Sequence, residues 1–252
     1  MEAQTVLNPK ISDRLQRLYG ERAEEAEQLL SDVIRSHSST LPNEPRSTGP
    51  RWNEHDMVLI TYGDQIHDSD QHPLCVLRPW LSDEELNEQL SVIHILPFSP
   101  YSSDDGFSVI DYRQVDPQLG SWNDIAALAK QSDLMFDLVL NHVSRRSKWF
   151  ADYQAGTTPW DGYFIECDQQ EDLSQVTRPR SLPLLTAVET SRGTRHLWTT
   201  FSDDQIDLNF AEPAVLAEML DIFLDYVERG ARIIRLDSLA FLWQTFGPPC
   251  IL

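Results

Sequence analysis

The stretch Ala231-Arg232-Ile233-Ile234-Arg235-Leu236-Asp237 reads as a buried β-strand that delivers an aspartate at its carboxyl end. Alternate residues of a strand share a face, so Arg235 lies on the same side as Asp237. A guanidinium there keeps a carboxylate ionised and aims it. Upstream, Pro213 near a helix start and Gly230 just past its end bracket a helix over 213–229. Leu134–Leu140 is an earlier apolar strand, preceded by a helix that Ser121 and Asp124 open and that runs to about Gln131. Val92–Leu96 is another strand, ended by Pro97, and Met57–Tyr62 is the first. Between these two, the capping box of Ser82 and Glu85 predicts a helix through Leu90.

Near-continuous apolar strands alternating with helices mean an α/β fold with parallel strands under a helical cover. Two architectures fit, an open doubly wound sheet or part of an eight-fold barrel. No glycine-rich phosphate loop follows any strand, which weakens a nucleotide-binding reading. Polar residues instead collect after strand ends: Ser99–Phe107, Asn141-His142 and Asp237. Barrel enzymes build their sites at that end.

Residues 11–35 carry helical patterns, with Leu15 and Leu18 on one face of a first piece and Ala26, Leu29, Leu30, Val33 and Ile34 on a second. Residues 36–51, rich in Ser, Pro and Thr, read as a linker. The expected organisation is a helical extension and linker over 1–50, then the main domain over 51–252 with a loop-rich insertion at about 144–210.

Forty acidic against twenty basic residues give a net charge of −20. That balance argues against nucleic acid and anionic membranes as partners. Cys75, Cys167 and Cys250 are sparse and unpaired by spacing, and the N-terminus lacks a signal segment. Both features lead us to expect a cytoplasmic protein. No run approaches the ~18 apolar residues of a membrane span, and no metal-ligand spacing or flavin motif is present.

Spacing alone leaves the chemistry open. Asp237 is either a nucleophile or the cap of a helix starting at Ser238. His142 follows a strand end beside Asn141, where a binding role and a structural one compete. Asp104 and Phe107 on their own are an Asp-Gly turn and a core phenylalanine.

Two motifs together resemble the α-amylase superfamily of glycoside hydrolases. Asp137-Leu138-Val139-Leu140-Asn141-His142 is similar to its DxxxNH motif, and Arg235-Leu236-Asp237 to its RxD nucleophile motif. Leu59–Asp64 (LITYGD), Ile95–Phe107 (ILPFSPYSSDDGF) and Leu197–Asn209 (LWTTFSDDQIDLN) resemble the sucrose phosphorylase branch. The N-terminal helices, SSDDGFSVIDY and Arg178–Leu185 (RPRSLPLL) are most similar to the glucosylglycerate phosphorylases within it. The resemblance implies a TIM-type (β/α)8 barrel of which about the first four β/α units are present. It implies a retaining enzyme that moves glucose from an α-glucoside to phosphate through an aspartyl glucosyl-enzyme. Asp237 would be the nucleophile and Arg235 its orienting partner. Asp104 and His142 would bind glucose hydroxyls, Phe107 would offer the ring an apolar face, and Phe201 and Gln205 would wall the site. Asp137 would be scaffold. Inorganic phosphate would be a co-substrate and no cofactor would be needed.

The same resemblance places the general acid on a glutamate after a fifth strand and a third carboxylate after a seventh. Glu166, Glu189 and Glu212 all precede the fourth strand. The expectation is therefore a half-barrel with two open strand edges, prone to self-association and incomplete as a catalyst. Three functions compete: a piece of a glucosylglycerate or sucrose phosphorylase, an α-glucosidase or transglucosidase with the same site, and a non-catalytic remnant. The acceptor and the oligomeric state are left open.

Overall fold

A computed structural model describes residues 7–41, 52–54, 56–86, 89–168, 170–174, 176 and 179–243. Most of the expected linker, 42–51, lies outside them, as does Cys250. The chain begins with α1 (Pro9–Tyr19) and α2 (Ala23–His37), so the second helix runs two residues into the expected linker. Then follow β1 (Val58–Thr61), α3 (Pro73–Asp83), β2 (Val92–Ile95), α4 (Trp122–Leu128) and β3 (Asp133–Val139). The segment after β3 contains β4 (His142–Ser144), α5 (Lys148–Ala155), the hairpin β5 (Leu185–Thr190) and β6 (Gly193–Trp198), and β7 (Gln205–Asp207). The described chain ends with α6 (Pro213–Glu228) and β8 (Ala231–Asp237), which a short 3-10 turn at Leu239–Phe241 follows.

β1, β2, β3 and β8 form one sheet in that order, every pair parallel. Each new strand is added beside the last with no reversal, so these strands contain no switch point of the kind a doubly wound sheet needs. α3, α4 and α6 bridge successive strands and bury Leu74, Leu77, Leu81, Ile125, Leu128, Met219, Ile222 and Tyr226 against Ile93, Ile95, Leu134 and Phe136. Phe136 anchors this core, meeting Phe98 at 4.9 Å and Tyr226 at 5.7 Å edge-on. β8 carries an extra residue, Arg232, opposite the Leu134–Met135 step. That bulge sets the register that places Arg235 beside Asp137 and Asp237 beside Val139.

Three expectations need correction. The helix between the first two strands starts at Pro73, not at Ser82; Ser82 lies in its last turn and Glu85 has left helical geometry at φ 57°. The winning signal is Pro73 at the first helical turn followed by Leu74, Leu77 and Leu81 at helical spacing, all buried. The decisive stretch 231–237 is a strand but not a buried one: only Ala231 is buried. Among the described residues β8 is the sheet's edge, paired on one side alone. Leu18 does not share a buried face with Leu15; it is 43% exposed, while Leu15 packs with Ala26, Leu30 and Ala217.

The N-terminal helices dock on α6 and the loop before it. Tyr19 donates to the Phe210 carbonyl at 2.9 Å, Arg22 pairs with Glu212 at 2.6 Å, and His37 bridges Asp221 (2.9 Å) and Glu228 (2.6 Å). No helix among the described residues is long and apolar enough to cross a membrane.

Candidate active site

The carboxyl ends of the four parallel strands converge on a cavity of about 340 Å³. It is lined by Tyr62, Asp104, Asp105, Phe107, His142, Arg180, Phe201, Asp237 and Ser238. Five of the seven residues expected from sequence are in that lining. The other two, Arg235 and Gln205, hold lining residues from behind. A larger depression, about 790 Å³, lies along α1 and carries none of this chemistry.

Asp237 is the last residue of β8, with a side chain 16% exposed. Arg235 donates to its Oδ1 at 2.9 Å and the Ser238 hydroxyl to its Oδ2 at 2.7 Å. Ser238 stands at φ 57° and the chain turns into a short 3-10 segment, not a regular helix. Burial opposes the Arg235 charge, but its bonds to Asp137 and Asp237 outweigh that and raise its pKa. The guanidinium is therefore a fixed positive charge beside the carboxylate.

His142 is fully enclosed. Its Nε2 donates to the Phe107 carbonyl at 3.0 Å and lies 3.0 Å from the Gln205 amide nitrogen. Burial pushes its pKa down to about 4, only partly countered by the Phe107 carbonyl and the charges of Asp237 and Asp104. The ring is neutral at pH 7. Phe201 sits against it at 5.1 Å, and Phe241 against Phe201 at 5.6 Å. Asn141 donates to the Phe241 carbonyl at 2.8 Å, which ties the turn after Asp237 to the turn after β3.

The loop after β2 reaches the site because Asp204 gathers it. Its carboxylate accepts from Ser102 (2.5 Å), Ser103 (2.5 Å) and Ser108 (2.8 Å). Burial works against that charge, but the three hydroxyls prevail and lower the carboxyl pKa. The stitch brings Asp104 next to Gln205, whose amide donates to Asp104 Oδ2 at 3.0 Å. Gly106, at φ 101°, passes so close to Pro97 that a Cβ would sit 2.7 Å from its carbonyl oxygen. Asp104, Asp105 and Ser238 are three of the four non-glycine residues with positive φ among the described residues, and all three line the cavity. Each such backbone state costs about 1–3 kcal/mol and is held by surrounding contacts.

Sequence reasoning missed Tyr62, Asp105, Arg180, Ser238 and His94. Tyr62 follows β1 directly, so the rule applied to the other strand ends would have found it. Arg180 bonds both carboxylate oxygens of Asp104 at 3.2 Å and stands 5.9 Å over the Phe201 ring, a long-range placement without a local signal. His94 is a lone histidine inside the apolar run VIHIL, and a buried polar group needs a partner. Asp137 proves to be that partner and also pairs with Arg235, as its scaffold reading anticipates. Glu166, Glu189 and Glu212 all point elsewhere, to Arg192, Thr194 and Arg22 respectively. Among the described residues no glutamate lines the cavity and no group of three metal-ligating side chains forms.

Strands wound in one direction under a helical cover, with the polar cluster at their carboxyl ends, define the opening arc of a (β/α)8 barrel. Residues 88–249 match the α-amylase catalytic domain, and the chain belongs to that family. Among curated relatives, the glucosylglycerate phosphorylase of Allomeiothermus silvanus is 46% identical over 97% of this chain and 43% of its own length. That of Spirochaeta thermophila is 50% identical over 83% of this chain and 36% of its own. The chain thus spans well under half the length of these relatives. The crystal structure of sucrose 6F-phosphate phosphorylase from Thermoanaerobacter thermosaccharolyticum superposes with a TM-score of 0.71 at 28% identity, over 79% of this chain and 43% of that one. The trehalulose synthase MutB from Pseudomonas mesoacidophila shares the fold at a TM-score of 0.68 and 21% identity, over 80% of this chain and 38% of its own.

Proposed function

We propose that this chain carries the nucleophile half of a retaining α-glucoside phosphorylase that uses glucosylglycerate. What supports the reading is a carboxylate, Asp237, fixed by Arg235 at 2.9 Å at the mouth of a cavity shared with Asp104, His142, Phe107 and Phe201. The phosphorylase relatives of 46% and 50% identity favour phosphate as acceptor over water. Asp237 attacks the anomeric carbon of glucose, the bond to the departing oxygen breaks as that oxygen takes a proton from a general acid that the described residues do not supply, and a glucosyl ester forms. A phosphate oxygen then attacks the same carbon and frees the carboxylate, so the configuration is retained over the two steps. Asp104 accepts outer glucose hydroxyls, neutral His142 faces another, and Phe107 and Phe201 meet the apolar edges of the ring. Gln205 holds Asp104 in place through its amide. Arg180, bonded to Asp104 at 3.2 Å, is the one cation among the lining residues and would draw phosphate into an otherwise acidic protein. No cofactor enters this scheme. The helices before residue 50 act as an extension, residues 51–252 as the catalytic part, and 144–210 as the insertion that carries Arg180, Phe201 and Gln205. A cytosolic setting suits the free thiols of Cys75 and Cys167.

The test uses α-glucosyl fluoride, whose leaving group departs without a proton donor. The wild-type chain is expected to release fluoride and gain the mass of one glucosyl unit. Asp237→Asn does neither, and added phosphate converts the adduct to glucose 1-phosphate. An adduct on another residue, or full turnover by Asp237→Asn, overturns the assignment. Discharge to glucose at an equal rate with and without phosphate overturns the phosphorylase reading.

A further inference from the structure

The cavity's charges continue behind it, across three strands. Asp137 on β3 has a fully buried carboxylate with one partner for each oxygen. Oδ1 accepts from Nη1 of Arg235 on β8, and Oδ2 accepts from Nε2 of His94 on β2 at 2.7 Å. His94 is itself only 5% exposed in its side chain. Arg235 is thereby left with Nη2 for Asp237, at 2.9 Å.

A guanidinium and a carboxylate side by side favour a two-bond fork. Arg235 and Asp137 are neighbours in register, and a free Oδ2 would invite that fork. Stability does not call for a histidine at position 94. The rest of β2 is apolar and wholly buried, and a buried polar pair is often no more stabilising than well-packed apolar side chains of similar volume. We propose that His94 is a positioning residue: by occupying Oδ2 of Asp137 it holds Arg235 to a single bond there and reserves Nη2 for aiming Asp237. The kinetic part of this proposal rests on Asp237 being the nucleophile; the geometric part does not.

The test compares His94→Met, which fills the space without a donor, with His94→Gln, whose amide can reach Oδ2. Crystal structures and fluoride release from α-glucosyl fluoride are the two readouts. His94→Met is expected to show Arg235 forked onto Asp137 and withdrawn from Asp237. Its glucosylation rate falls about 100-fold, the scale of an ångström-sized misplacement, while half-saturation changes little. His94→Gln keeps both the contact and most of the rate. If His94→Met does not fold, His94→Asn, polar but too short to reach Oδ2, carries the same expectation. The proposal is overturned if the donorless variant keeps Arg235 on Asp237 at 2.9 Å, or if His94→Gln loses the contact as His94→Met does. A wild-type chain that forms no glucosyl-enzyme defeats the nucleophile reading instead, and the crystal structures then decide the role of His94 alone.

Discussion

β2 is buried at every position, whereas β1, hydrogen-bonded along its side, exposes Val58 at 45% and Ile60 at 62%. β3 and β8 differ in the same way: Phe136 is sealed in the core, and Leu236, on β8, is 40% exposed. All four strands are short apolar runs. What separates them is the number of neighbours, since β2 and β3 are paired on both sides and β1 and β8 on one. An apolar run therefore specifies a strand without specifying its burial, which comes from what lies beside and across from it.

The contrast can be broken most strongly at its centre. Phe136→Ala is expected to cost about 3–5 kcal/mol by urea unfolding, the range for removing a buried aromatic ring. Ile60→Ala on the edge should cost less than ~1 kcal/mol, because little of that side chain leaves water. Equal costs would mean that the edge is covered in solution.

The next effect is in pH. His142, the first residue of β4 just after the central strand β3, has a depressed pKa of about 4 against an ordinary 6.5. The unfolded chain binds the extra proton first, so stability falls as pH drops from about 6.5 towards 4, by on the order of 3 kcal/mol. His37, on the peripheral helices, behaves oppositely. Burial opposes its charge, but Asp221 and Glu228 overcome that and raise its pKa. Its stabilising effect is complete below the ordinary histidine value and is lost as pH rises through the raised one. Thermal melts from pH 4 to 8 should show the acid-side loss vanish in His142→Gln and the alkaline-side loss vanish in His37→Gln. Unchanged profiles would refute the two assignments. Because Asp221 also binds Arg113 at 2.5 Å, the His37 effect should be the smaller of the two.

The smallest effect on stability sharpens the comparison at the surface. Lysines at Ile60 and Leu236 should leave the melting point nearly unchanged while lowering self-association in size-exclusion chromatography, since charge on an open edge blocks strand pairing. A melting point that falls as far as for Phe136→Ala would contradict the exposed setting of both edges.

Much of the site was legible because strand ends are local features. Apolar runs ending in Asn141-His142 and Asp237 place those groups at one end of a parallel sheet whatever the rest of the chain does. Tyr62 is equally available by that rule. Arg180 is not, because it meets Asp104 across 76 residues of sequence, and no spacing rule reaches that far. Ser82 misled because a capping pattern carries less free energy than the burial of Leu74, Leu77 and Leu81, so packing chose the helix start.

By itself the sequence determined the order of strands and helices, the parallel class of the sheet, and the identity of the carboxylate and guanidinium that end β8. Those follow from periodicity, capping and alternation, which act over a few residues. The tertiary structure alone decided that the bulge at Arg232 sets Arg235 beside Asp137, and that His94 reaches the same carboxylate from the opposite side. Such outcomes depend on which surfaces meet after the chain has folded, and the free energies that select them are carried by contacts between residues far apart in the chain.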